Sequence, residues 1–199
     1  MLCQFTVKNF KSIRDEVTFD MQAAAISEHE DRIIIDKDEQ KYLPVSAVYG
    51  PNGGGKSNVL AALHTLVAKV LRPLLATEDS EEKVLLQRKI IVEPFAFSKS
   101  KDEPTEFELF FRTTVSEYRY ILHVKRDIVL YESLDRVKLE TGRKSALFTR
   151  DENGIVLKGA FAKLKVSDEL SKTLTLLSYL GIAYKGNAVV KDVLSWFEY

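Results

Sequence analysis

Apolar and polar residues alternate at the start of the chain, with Phe5 and Val7 on one side of residues 2–10, the spacing of a strand. Residues 15–21 alternate again through Val17, Phe19 and Met21, which predicts a strand pair over the first 21 residues. A charged, irregular stretch over 25–41 surrounds Ile33–Ile35. "YLPVSAVYG" (42–50) is nearly continuous apolar sequence without charge, and predicts a buried parallel strand. After a glycine run, Val59, Leu60, Leu63, Leu66, Val67, Val70 and Leu71 recur at helical spacing, and Pro73 is expected to end or kink that helix. Residues 76–83 read as an acidic loop. From about 88 to 158 short alternating runs, "KIIVEPFAF" among them, are parted by turn-like stretches, the pattern of an antiparallel meander. Two helices are expected beyond 166. The first has Ser167 as N-cap, Leu170, Leu174 and Leu177 behind it, and Gly181 as its stop; the second covers "NAVVKDVLSWFEY". The pattern divides the chain into 1–75 (strands, glycine loop and first helix), 76–165 (an antiparallel β subdomain of the same lobe) and 166–199 (the start of a helical region).

Composition adds little to this. The chain has 199 residues, 45% of them hydrophobic and 29% charged, a soluble globular balance. Lys plus Arg equals Asp plus Glu at 29 each, so net charge favours no class of partner. The single cysteine, Cys3, excludes an internal disulfide and fits a reducing compartment; it reads as a small buried hydrophobe. No uninterrupted apolar run approaches the roughly 18 residues of a bilayer span, and no apolar h-region follows the early lysine. The expectation is a cytoplasmic protein without a membrane partner.

The glycine run carries the chemistry. Gly50-Pro51-Asn52-Gly53-Gly54-Gly55-Lys56-Ser57 fits G-x-x-x-x-G-K-[ST], the phosphate-binding loop. Polyphosphate oxygens are met by successive backbone N–H groups in one concavity, which needs unusual φ/ψ and no intruding Cβ; Gly53, Gly54 and Gly55 allow both. A helix beginning near Lys56 adds the positive end of its dipole. Lys56 is expected to reach the β- and γ-phosphates and so serve catalysis, and the Ser57 hydroxyl to ligate Mg²⁺. A glycine-rich structural turn before a helix is the plainer alternative, which the apolar run ahead and amphipathic helix behind make the weaker. No Asn-Lys-x-Asp follows, so a GTPase is not indicated, and a small kinase leaves the first strand pair and the meander unexplained.

"FTVKNFKSI" followed by a strand pair and "GPNGGGKSNVLAAL" resembles the ABC-type ATPase heads of the SMC, RecF and OLD group, where Asn52 and Asn58 bracket the loop. Residues 92–134 and the Trp196-Phe197 pair resemble bacterial ATPases related to the OLD and abortive-infection proteins. The likeness covers nearly the whole chain, with Gly54 a departure where the group often has Ser. It implies an α/β P-loop NTPase fold, with the meander and the C-terminal helices appended to an N-terminal lobe. It implies that Gly50 and Asn52 to Asn58 hold ATP with Mg²⁺, and that Asn9 to Ser12 lies near the nucleotide. Lys11 is the candidate there, against an ordinary solvated lysine. It further implies a homodimer sandwiching two Mg·ATP and gating a nuclease or other effector in phage defence or DNA processing. Such heads also need an apolar strand ending in Asp-Glu, a signature Ser-Gly-Gly stretch and a switch histidine. "RIIID" (32–36) precedes the loop, "DIVLYE" (127–132) has Tyr131 where an aspartate belongs, and "SDEL" (167–170) lacks the apolar strand. The reading is therefore an N-terminal half, an ATPase in the full-length dimer and inactive alone. The alternative is a nucleotide-dependent interaction module that does not hydrolyse ATP.

His29, His64 and His123 lack metal-ligand spacing and read as structural. Residues 136–165 hold Lys or Arg at 136, 138, 143, 144, 150, 158, 163 and 165 against acids at 140, 151 and 152, a net of +5. This run offers either a DNA or RNA contact or a solvated meander edge guarded by lysines.

Overall fold

A computed structural model describes residues 1–25, 29–76, 90–97, 99–167 and 170–198. The expected acidic loop beyond Ala76, with Asp168 and Glu169 of "SDEL", lies outside the described residues. Strands β1 (Leu2–Lys8) and β2 (Val17–Asp20) form the expected antiparallel pair. β3 (Ile34–Ile35) and β4 (Lys41–Tyr42) make a separate small hairpin. Helix α1 (Lys56–Leu75) leads to the meander β5 (Thr105–Arg112), β6 (Ser116–Lys125), β7 (Ile128–Lys138), β8 (Lys144–Asp151) and β9 (Gly154–Leu157). Helices α2 (Leu176–Ala183) and α3 (Ala188–Phe197) close the chain. The first strand pair and the meander join in one seven-stranded sheet, ordered β2-β1-β5-β6-β7-β8-β9.

One face of that sheet is the core. Phe5, Val7, Phe107, Leu109, Phe111, Tyr118, Tyr120, Leu122, Leu134 and Phe148 are all fully buried there, facing Ala62, Leu66 and Val70 of α1 and the apolar residues of α2 and α3. Each such large side chain contributes roughly 1.5–3 kcal/mol of burial. Trp196 (tilted) and Phe197 (edge-on) pack against Phe111 with ring centroids 4.8 and 5.5 Å away. By length and composition α1 could cross a bilayer, but its buried face belongs to this core.

Five expectations change. Residues 43–50 form no strand: Val45 is 77% and Tyr49 90% exposed, and the last ladder-like bond runs from Leu43 N–H to the Met21 carbonyl. A parallel strand needs ladder partners, and none of the described strands flanks this stretch. "KIIVEPFAF" contributes only a bridge, Val92 to Arg126. Pro73 sits inside α1, which continues to Leu75.

The fourth change is the start of the next helix, which begins at Leu176 and not after Ser167. Arg150 donates to the Ser171 and Leu174 carbonyls, and Val129 N–H to Lys172, so the sheet claims carbonyls that a helix would use. Thr175 then caps α2 through Ser178 N–H. Gly181 lies within α2 as a point of close approach, not a stop. A Cβ there would stand 2.6 Å from Leu74 of α1 and 2.7 Å from Leu194 of α3.

Candidate functional site

The glycine loop stands on the first turn of α1, at the surface. Gly53 and Gly55 have φ of +78° and +82°, left-handed conformations that glycine adopts without strain. Gly55 is also the N-cap of α1, so the helix's first N–H groups open directly onto the loop. A Cβ on Gly54 would stand 3.0 Å from the Pro51 carbonyl, and one on Gly55 3.1 Å from the Ser12 hydroxyl. The glycines thus shape a bare main-chain turn at the positive end of a 20-residue helix, a donor set that suits an anion.

Lys56 Nζ donates to the carbonyls of Gly50 (2.6 Å) and Pro51 (2.7 Å), folding the ammonium back across the loop. A phosphate there would compete with these two carbonyls for the ammonium. Ser57 is exposed on the first turn of α1, a hard oxygen donor of the kind Mg²⁺ takes. Gly50 and Asn52 lie on the exposed approach to the turn. These residues fit a polyphosphate with its metal: bare N–H groups and an ammonium for the anion, a hydroxyl for the cation.

The loop is braced from the first strand pair. Asn58 Nδ2 donates to Ser12 Oγ at 2.6 Å. Ser12 is presented by a turn in which Asn9 and Lys11 both take positive φ (56° and 48°). Buried Asn9 anchors that turn. Its side-chain oxygen accepts from Phe95 N–H, its amide donates to the Glu103 and Pro104 carbonyls, and Thr105 Oγ1 donates to its carbonyl. Lys11 N–H bonds to the Glu93 carbonyl, while its ammonium rests 5.5 Å over the Phe10 ring. The contact to the loop therefore comes from Ser12. Sequence reasoning singled out the stretch and not that residue, since only the left-handed turn at Lys11 decides which side chain faces the loop.

The other candidates separate. Asp36 opens the β3–β4 turn and, with Asp38 and Glu117, binds the guanidinium of Arg112, which is buried over the Tyr42 ring. Arg112 holds the Asp38 carboxyl below its ordinary range. Tyr131 lies within strand β7 beside His123, 5.1 Å between ring centroids, and burial lowers the His123 pKa. His29 lies in an exposed turn and His64 is exposed on α1. Among the described residues no three His, Cys, Asp or Glu gather as a metal site. Cys3 is buried and its thiol is pushed up to about 11, chiefly by burial. The basic run is dispersed. Arg150 is buried, Arg136 donates to Ser116 Oγ, and Lys138, Arg143, Lys144, Lys158, Lys163 and Lys165 are exposed at the tip of β7–β8 and after β9.

Residues 45–187, well over half of the chain, match the family described as an AAA domain of AbiEii-toxin type, type IV toxin–antitoxin system. The chain belongs to that family. The matched span begins just ahead of the glycine loop and runs through the meander and α2 to the N-cap of α3, so the AAA domain includes the loop and most of the seven-stranded sheet. It is a P-loop nucleotide-binding domain of α/β type whose sheet, in the described residues, is antiparallel throughout. No curated protein matches the chain.

Proposed function

We propose that this AAA domain binds Mg·ATP at 50–58 as an ATPase head of the kind found in OLD-related and abortive-infection proteins. The observation that carries the reading is the side-chain-free turn at Gly53–Gly55, left-handed at Gly53 and Gly55, closed by Lys56 and mounted on the N-terminus of α1. Two heads sandwich two nucleotides, and turnover separates them to gate a nuclease or other effector in defence against phage or in DNA processing. Calorimetry with Mg·ATP is the direct test: the wild type binds, and Lys56→Ala does not. Equal binding by both removes the assignment. Sedimentation with a non-hydrolysable ATP analogue tests the sandwich, which requires the dimer to appear only with nucleotide and metal.

A second reading is a module that binds nucleotide and a partner without hydrolysis. It is favoured by where the carboxylates that end two of the candidate acidic runs are engaged: Asp36 of "RIIID" on Arg112, and Glu132 of "DIVLYE" on the N–H groups of α2. Steady-state phosphate release separates the two, and we expect it near background for this chain. Turnover that disappears with Lys56→Ala decides for the ATPase.

A further inference from the structure

At the far end of the sheet from β2, edge strand β9 borders a groove of about 500 Å³. Its main-chain groups divide cleanly. Lys158 N–H bonds to the Leu147 carbonyl at 2.7 Å, and the register continues without a bulge through Phe148–Leu157, Thr149–Val156 and Arg150–Ile155. Antiparallel pairing alternates bonded and non-bonded pairs, so Val156 bonds to β8 while Ile155 and Leu157 turn their N–H and C=O groups outward. The groove beside them is lined by Ile155, Leu157, Ala162, Leu164 and Val166. Its far wall, 162–167, is tied to α2 and its C-cap: the Tyr184 hydroxyl donates to the Lys165 carbonyl and accepts from Lys165 N–H, and the Tyr179 hydroxyl accepts from Ser167 N–H.

We propose that this groove takes an extended, acidic, amphipathic segment of a partner protein as an added strand on β9. Three observations select the occupant. The outward main-chain groups of Ile155 and Leu157 recognise a backbone, which β-addition supplies and a small ligand does not. The apolar lining accepts every second side chain of a strand, and the four residues of β9 match about four residues of an added one, two of them facing the lining. Lys158, Lys163 and Lys165 are exposed around the groove, and no ion pair engages them among the described residues. On the far wall Lys163 and Lys165 alternate with the lining residues Leu164 and Val166, so carboxylates on the solvent side of the added strand meet ammonium groups. A second copy of β9 is the wrong occupant, because it brings its own three lysines against these. Lys163 and Lys165 stand beside the edge and not on it, and Lys158 follows the last residue of β9 with its N–H turned to β8, so the ladder stays open at Ile155 and Leu157 where an edge-guarding charge would block it.

The test uses a fluorescein-labelled decapeptide of alternating valine and glutamate, with an alternating valine–lysine decapeptide as control, read by anisotropy at low ionic strength. Saturable binding of the first and not the second is expected. The double substitution Lys163→Glu/Lys165→Glu is expected to weaken the valine–glutamate peptide about tenfold or more with an unchanged melting temperature. Hydrogen exchange is expected to show the Ile155 and Leu157 amides newly protected in the complex. Absence of saturable binding, indifference to the charge reversal, or protection elsewhere on the sheet overturns the proposal. Self-association that the same reversal alters overturns it in favour of a second copy.

Discussion

The meander and the phosphate loop are built on opposite plans. In β5–β9 almost every inward side chain is buried, and polar groups at the core bond across elements: Tyr118 and Thr113 bind Asp192 of α3, and Tyr120 shares Glu132 with α2. Residues 43–58 hold their form with little burial. The loop's shape comes from glycine φ values, one ammonium across two carbonyls, and the single side-chain bond from Asn58 to Ser12. Packing determines the first region and local backbone chemistry the second. The loop is joined to the packed region by α1, whose far half is locked to α2 where Ser178 Oγ bonds to the Val70 carbonyl and Gly181 meets Leu74. A change in the packed region should therefore cost stability, and a change in the loop should cost binding alone.

Glu132 tests the packed side most severely. Its carboxylate is fully buried and accepts from the N–H groups of Leu176 and Leu177 and from the Tyr120 hydroxyl, with Arg150 3.9 Å away. Glu132→Ala leaves those donors unpaired, and a loss on the order of 3–5 kcal/mol is expected in urea unfolding. Burial also raises the pKa of this carboxyl. The folded chain then holds the proton more readily than the unfolded one, so the contribution is fullest below the unfolded pKa. It is lost as pH rises through the raised folded value. Glu132→Gln should remove that decline; a decline that persists in the variant assigns it elsewhere.

Gly181→Ala probes the helix crossing. The added methyl meets the ends of Leu74 and Leu194 inside 3 Å, and overpacking of this kind costs roughly 1–3 kcal/mol. A smaller loss would mean that the two leucines rotate aside. Lys56→Ala belongs to the other region. Its stability is expected within about 0.5 kcal/mol of wild type while nucleotide binding disappears, because the ammonium bonds only to exposed loop carbonyls. A large drop in melting temperature with this variant would erase the distinction between the two regions.

What could be read in advance follows the same division. The loop's chemistry was legible because it is local: four glycines, a lysine and a serine at fixed spacing are enough to specify it. The meander was legible because period-two alternation is strong from Thr105 to Leu157. The start of α2 was not, since the carbonyls of Ser171, Lys172 and Leu174 are claimed by Arg150 and Val129, which come from strands distant in sequence. The role of Gly181 was hidden for the same reason, as a close approach of three helices leaves no mark on local sequence. Residues 43–50 mislead differently: their composition suits a buried strand, but composition does not provide a ladder partner. Ser12 could not be told from Lys11 without the backbone turn between them.

The smallest expected effect lies on the outer face of the sheet. His123 sits half-buried on β6 beside Tyr131, with Glu106, Glu108 and Lys8 among the charges around it. Burial outweighs the two carboxylates and lowers its pKa, so the folded chain resists protonation. Its contribution is therefore full above the unfolded pKa and is lost as pH falls through it toward the folded value. His123→Leu keeps an apolar body against Tyr131 and has no proton to take up. Between about pH 7.5 and pH 5.5 the wild type should lose more stability than the variant. The measurement is a pair of urea titrations at each pH, and the nucleotide affinity of the variant should stay at the wild-type value throughout. Parallel stability profiles would place the acid sensitivity of the sheet in other groups. A shift in affinity would show that the outer face and the phosphate loop are coupled, against the division drawn between packed sheet and local loop.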